Sequence, residues 1–164
     1  EEYNVSDIKR FIDDYHTSIK NIVFDNGGCF NILPQNGFMA FWPAGFYDSD
    51  QFERVLSSAE SIRAMIESLN YKAAKQFKTK NTIYIDIVIL EDTGYVGCFS
   101  TVNNGTYTVV SDSISGVLQI PWLFSSDEKN LIIFYEDIKN KLDQSKKTVK
   151  LDRQVGRKDI YELE

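Results

Sequence analysis

Histidine and cysteine are nearly absent, with one His and two Cys in 164 residues. His16 has no second His or Cys near it, and Cys29 and Cys98 lack a C-x-x-C spacing, so no zinc set can be assembled. Both cysteines are expected as buried small hydrophobes in a reducing compartment, and His16 as a surface or boundary imidazole and not a base. No uninterrupted apolar run approaches the roughly 20 residues of a membrane helix. Base is not in excess either. Eighteen Lys and Arg against 24 Asp and Glu leave a net charge of −6. A phosphate backbone needs a basic face, so nucleic acid is excluded as the main partner. Internal repeats, low-complexity segments, an initiator Met and a signal-peptide pattern are all lacking. The expectation is a single domain over 1–164, cut from a longer chain, cytoplasmic and without direct membrane contact.

Apolar and aromatic residues are plentiful, at 43% and 13%. A chain of this length can bury a core without disulfides. Tyr3-Asn4-Val5 reads as a short strand. Ile8, Phe11, Ile12, Tyr15, Ile19, Ile22 and Val23 mark an amphipathic helix closed by Gly27-Gly28. Cys29–Leu33 and Gly37–Trp42 read as a hairpin turning at Pro34-Gln35-Asn36. Asp50 and Glu53 have the form of a capping box for a helix running from Phe52 to Leu69, and Lys72–Lys80 reads as a solvated basic connector. Alternating Ile83, Ile85, Ile87 and Ile89 predict a central strand. Glu91-Asp92-Thr93-Gly94 is a turn in which Gly94 can take a positive φ. A second hairpin follows, Tyr95–Ser100 and Tyr107–Val110, reversing at Asn103-Asn104-Gly105. Ser111-Asp112-Ser113 offers N-caps for a helix over Ile114–Leu123. Then come a strand at Leu131–Tyr135, a short helix at Glu136–Leu142, and strands at Thr148–Leu151 and Asp159–Leu163.

Thr93-Gly94-Tyr95-Val96-Gly97 followed by Tyr107-Thr108-Val109-Val110-Ser111-Asp112-Ser113-Ile114 resembles the class III nucleotide cyclase homology domain. That family's pattern is T-G-x-V-x-x-G, then Y-T-V-x-G-D-x-V-N-x-A-x-R. The element order agrees, since it implies an α+β fold with a ferredoxin-like βαββαβ core, a mostly antiparallel sheet and helices packed on it. Lys9–Gly28 resembles the family's first long helix, Gln35–Trp42 its G-D-x-F-x-A-x-F strand, and Arg153–Glu164 its closing segment. The likeness spans nearly the whole chain.

The resemblance implies a reaction in which the ribose 3′ hydroxyl of ATP or GTP displaces pyrophosphate from the α-phosphorus, with two Mg²⁺ or Mn²⁺ ions held by carboxylates. The letters that would carry it are altered. The G-D turn reads Gln35-Asn36, so a neutral carboxamide stands at one metal position. Val5-Ser6-Asp7-Ile8 resembles the family's F-x-D-I, which makes Asp7 either the other metal ligand or a helix N-cap. Ser115 stands at the transition-state Asn position and Gln119 at the Arg position. Ile32 and Thr108 stand where the family reads the purine with Lys and Asp. Loss of one preorganised charge commonly costs about 100-fold in rate. The sequence therefore predicts a degenerate cyclase homology domain that regulates or dimerises in signal transduction, with no cofactor unless Mg or Mn serves residual activity. Its expected partner is a second copy or another cyclase-type domain, with a nucleotide as the candidate small ligand. The alternative is an active or partner-complemented cyclase. Phe38, Phe46, Tyr47, Phe99, Tyr107, Trp122 and Phe124 are the candidate contact aromatics.

Overall fold

The structure, a computed structural model, describes residues 4–33, 37–46, 50–78, 82–101, 104–117, 130–155 and 158–164. For residues 99–101, 104, 105 and 115 it describes the backbone alone. The chain groups into two compact units, Glu1–Tyr84 and Ile85–Glu164.

In the first unit the elements are α1 (Val5–Asp25), β1 (Cys29–Ile32), β2 (Phe38–Phe41) and α2 (Gln51–Phe77). The apolar stripe of α1 buries Ile19 and Val23 completely. Its start differs from expectation: Asn4 is the N-cap, its side chain accepting the Ser6 N–H at 3.0 Å, so Val5 is helical and no strand forms at Asn4-Val5. Tyr3 lies outside the described residues. At the other end Gly27 takes φ 78°, its N–H donating to Phe24 O and that of Gly28 to Val23 O, both at 2.8 Å. This paired closure is a Schellman turn, as the Gly-Gly pair predicts.

Phe11 meets Phe77 edge-on, centroids 5.8 Å apart, which joins α1 to the last turn of α2. That turn was expected to be connector. Instead α2 continues to Phe77, because Ala73 extends the buried row of Ile62, Ile66 and Leu69 by one more turn. The capping box does not form either. Asp50 makes no side-chain cap bond, and its carboxylate pairs with Arg54 at 2.8 Å. Farther on, the Asn70 carboxamide grips Ile83 at both backbone atoms, donating to its oxygen at 2.8 Å and accepting its N–H at 2.7 Å.

The second unit holds β3 (Ile87–Ile89), β4 (Tyr95–Thr101), β5 (Asn104–Val110), α3 (Ser113–Val117), β6 (Ile132–Tyr135), α4 (Glu136–Lys139), β7 (Thr148–Val155) and β8 (Lys158–Leu163). Four of these strands form one sheet in the order β3-β6-β8-β7. Every pairing among the described strands is antiparallel except β3 with β6, so the fold is α+β with a mostly antiparallel sheet. The Ile alternation predicts a central strand, yet β3 is short and lies at the edge of this sheet. Side chains replace the ladder before it: Ile85 N–H donates to Asn130 Oδ1 at 3.1 Å, and Leu131 N–H to Asp86 Oδ1 at 3.1 Å. The inner strands are β6 and β8, and in β6 Ile132, Ile133 and Phe134 are all buried. Leu131, Ile133 and Ile160 form a core cluster joined by Val88, Val117 and Leu151.

Among the described residues no helix is long and apolar enough to cross a membrane. Burial of the cysteines does not hold: Cys29 is half-buried at the start of β1, and Cys98 is exposed on β4. His16, midway along α1, is half-buried as a boundary imidazole, its Nε2 enclosed and without a hydrogen-bond partner among the described residues.

Candidate functional site

The residues singled out by the sequence divide between the two units. Asp7 and Ile32 belong to the first, Thr108 and Ser115 to the second. Asn36 and Gln119 lie outside the described residues, as do Tyr47, Trp122 and Phe124.

Asp7 occupies the first turn of α1, three residues after the cap, and its N–H donates to Asn4 O at 3.0 Å. It is therefore not the N-cap, which corrects one of its two expected roles. Its carboxylate still complements the positive end of the helix. Ile32 ends β1 opposite Phe38 and is 61% exposed. Just beyond, Leu33 N–H donates to Gly37 O at 2.8 Å. Phe38 is half-buried because its ring stacks on Phe30 at 5.6 Å, and is thus a poorer contact candidate than Phe46, which is 66% exposed.

Among the described residues no group of three His, Cys, Asp or Glu side chains is placed to hold a metal ion. At the two positions that the resemblance assigns to metal ligands the sequence has one carboxylate, Asp7, and one neutral carboxamide, Asn36, whereas hard divalent cations favour anionic oxygens.

In the second unit, Thr108 is half-buried on β5 opposite Gly97, and Ser115 lies within the single turn of α3. The best-defined polar arrangement nearby was missed by sequence reasoning. Asp92 Oδ1 accepts the Thr93 N–H at 2.8 Å, and Oδ2 accepts the Ser113 N–H at 3.3 Å, 21 residues on. Hydroxyl donation from Ser111 and then Ser113 holds the Asp92 carboxyl below the usual carboxylate range. Asp92 thus fastens the start of α3 to the turn before β4. An acidic turn residue facing a Ser-Asp-Ser stretch was visible in the sequence, but their long-range meeting was not.

Gly94 is required for a different reason than expected. It does not take a positive φ; a Cβ there would stand 2.7 Å from Val110 O. The reversal of this hairpin also shifts. Asn104 and Gly105 belong to β5, and the last pair is Thr101 with Asn104.

No protein-family model matches the sequence, and no curated protein matches it. Solved structures do. The chain superposes on the adenylyl cyclase CyaB from P. aeruginosa with TM-score 0.80 and 14% identity, covering 99% of this chain and 85% of that one. The guanylate cyclase domain of RhGC from Catenaria anguillulae, in complex with GTP, gives TM-score 0.68 at 14% identity, with 99% and 86% covered. A dimeric guanylyl cyclase domain of the RhoGC fusion protein from Blastocladiella emersonii gives 0.66 at 17%, with 98% and 85% covered. At these identities the likeness shows the fold. The chain has the fold of the adenylyl and guanylyl cyclase catalytic domains.

Proposed function

We propose that this chain is a catalytically degenerate nucleotide cyclase homology domain, acting as a regulatory and dimerising module in cytoplasmic signal transduction. One observation carries the reading. The cyclase fold spans 99% of the chain, while neutral residues stand at Asn36, Ser115 and Gln119, where cyclisation needs a metal ligand, a ribose-orienting amide and a cation. Without a cation on the α-phosphate and with one metal anchor neutral, the transition state gains little charge stabilisation. Ile32 and Thr108 likewise offer no charged reader for a purine edge.

Within this reading residues 1–164 act as one domain, and no metal cofactor is required. Asp7 is the one carboxylate retained in the motif, which favours a second reading: a partner-complemented cyclase in which another cyclase-type domain supplies the missing groups for ATP or GTP. Incubation of the chain, alone and mixed with an active cyclase domain, with Mn²⁺ and either triphosphate tests both. No cyclic product from the chain alone supports degeneracy. Product from the mixture exceeding that of the active domain alone favours complementation.

A further inference from the structure

Between Glu67 and Asp86 the sequence has four Lys, at 72, 75, 78 and 80, and no acidic residue, in a protein of net charge −6. The pattern alone reads as a solvated connector. Instead α2 runs through Phe77 with Lys78 as its C-cap, so the first three of these lysines stand on the helix. Tyr71, Lys75 and Lys78 recur at spacings of four and three, on the side of α2 opposite the buried Ile62, Ile66, Leu69 and Ala73, and Lys72 flanks them. All four side chains are exposed, Tyr71 at 63%, and Lys75 Nζ lies 4.5 Å from the centre of the Tyr71 ring. Elsewhere bases are tied to acids: Arg54 to Asp50, Lys141 to Glu91 and Lys150 to Asp159. Among the described residues Lys72, Lys75 and Lys78 make no ion pair. The negative end of the helix accounts for Lys75 and Lys78. It does not account for Lys72, which precedes the last turn, or for an exposed aromatic ring beside them.

We infer that this face of α2 docks on an anionic lipid surface. Charge and shape together select that partner. The solvent face of a helix is convex and offers no groove to a peptide, whereas a plane of headgroups requires none. Lysine stems beside a tyrosine ring combine apolar bodies with polar tips, the combination that settles at a water–lipid boundary. Because the remainder of the chain is acidic, its other surfaces are repelled and contact is confined to this face. The lack of a long apolar run excludes crossing a bilayer, not lying against one. Each Lys near such a surface strengthens binding about fivefold, less as salt screens it. The inference stands whether or not the chain turns over a nucleotide.

Cosedimentation of the chain with phosphatidylserine-rich vesicles at low ionic strength tests it, with phosphatidylcholine vesicles as reference. The wild type sediments with the anionic vesicles only. Lys72→Ala and Lys75→Ala each lower the partition coefficient about fivefold, with unchanged far-UV circular dichroism, because Ala is the best helix former. Adding Lys78→Asn to both abolishes binding; Asn suits that position, where φ is 49°. Should the triple variant unfold, the two single variants carry the test. Lys147→Ala, exposed in the second unit, removes the same charge and leaves partition within about twofold. An equal loss from Lys147→Ala reduces the effect to net charge and overturns the inference. Failure to sediment with anionic vesicles, or equal sedimentation with both kinds, overturns it as well. Capture of soluble polyglutamate without vesicle binding also overturns it, and gives the face to an acidic protein instead.

Discussion

The base of the β1–β2 hairpin is fastened to the helices on either side of it. Trp42 Nε1–H donates to Asn26 O at 3.0 Å, Gln51 donates to Trp42 O, and Gly28 leaves room for the indole. The β4–β5 hairpin is fastened at its foot, by Asp92 and by the close approach of Gly94 to Val110, while its arms expose apolar side chains. The difference separates two uses of one motif. The first hairpin is part of the framework of its unit. The second has a fixed root and an open surface, which suits a contact.

The largest effect expected from that comparison is at the glycines. Gly28→Ala places a Cβ 2.6 Å from the Trp42 ring and 2.8 Å from Val23 Cγ1. Overpacking of this kind costs about 1–3 kcal/mol, read as a lower urea midpoint. Gly94→Ala meets a backbone oxygen and falls in the same range. Gly97→Ala, in open space, changes stability by less than about 0.5 kcal/mol. Equal losses at 28 and 97 would erase the distinction between a packed base and an open arm.

Trp42→Phe keeps much of the ring and removes the indole N–H. A loss of about 1 kcal/mol is expected, the net worth of one part-buried hydrogen bond and the carbonyl it leaves unpaired. Midpoint shifts for Trp42→Phe and Gly28→Ala are not expected to add in the double variant, since the Cβ added at Gly28 meets the Trp42 ring.

The smallest effect is the pH response of Asp92. Its folded pKa is lowered, by Ser111 and then Ser113. Its contribution is therefore complete above the unfolded carboxylate value of about 4 and is lost as pH falls through the folded value. Asp92→Asn flattens the acid limb of the melting-temperature profile slightly and leaves the neutral region little changed. A change confined to alkaline pH contradicts that sign.

What was legible in the sequence follows physical reach. Local patterns held: the apolar stripe of α1, the Gly27-Gly28 closure, both hairpins, and the short strand-helix pair at β6 and α4. These depend on neighbours within a few residues. The extra turns of α2 depended on Ala73 finding a buried site, which composition alone does not reveal. The Ile alternation from 83 to 89 correctly marked an extended segment, but the bonding of Ile83 to Asn70 and of Ile85 to Asn130 was decided 13 and 45 residues away. The candidate site rests on residue types at motif spacings, and two of its positions, Asn36 and Gln119, lie outside the described residues. Asp92, which holds the start of α3, was read as a turn residue because its partner at Ser113 is 21 positions along the chain.

The most direct measurement is product formation by the purified chain at high concentration, with Mn²⁺ and saturating ATP or GTP, followed by mass spectrometry of the cyclic nucleotide. The account predicts no product above the protein-free control with either triphosphate. Cyclic nucleotide accumulating in proportion to the chain would contradict it, because Asn36, Ser115 and Gln119 would then be supporting the chemistry they are argued to have lost.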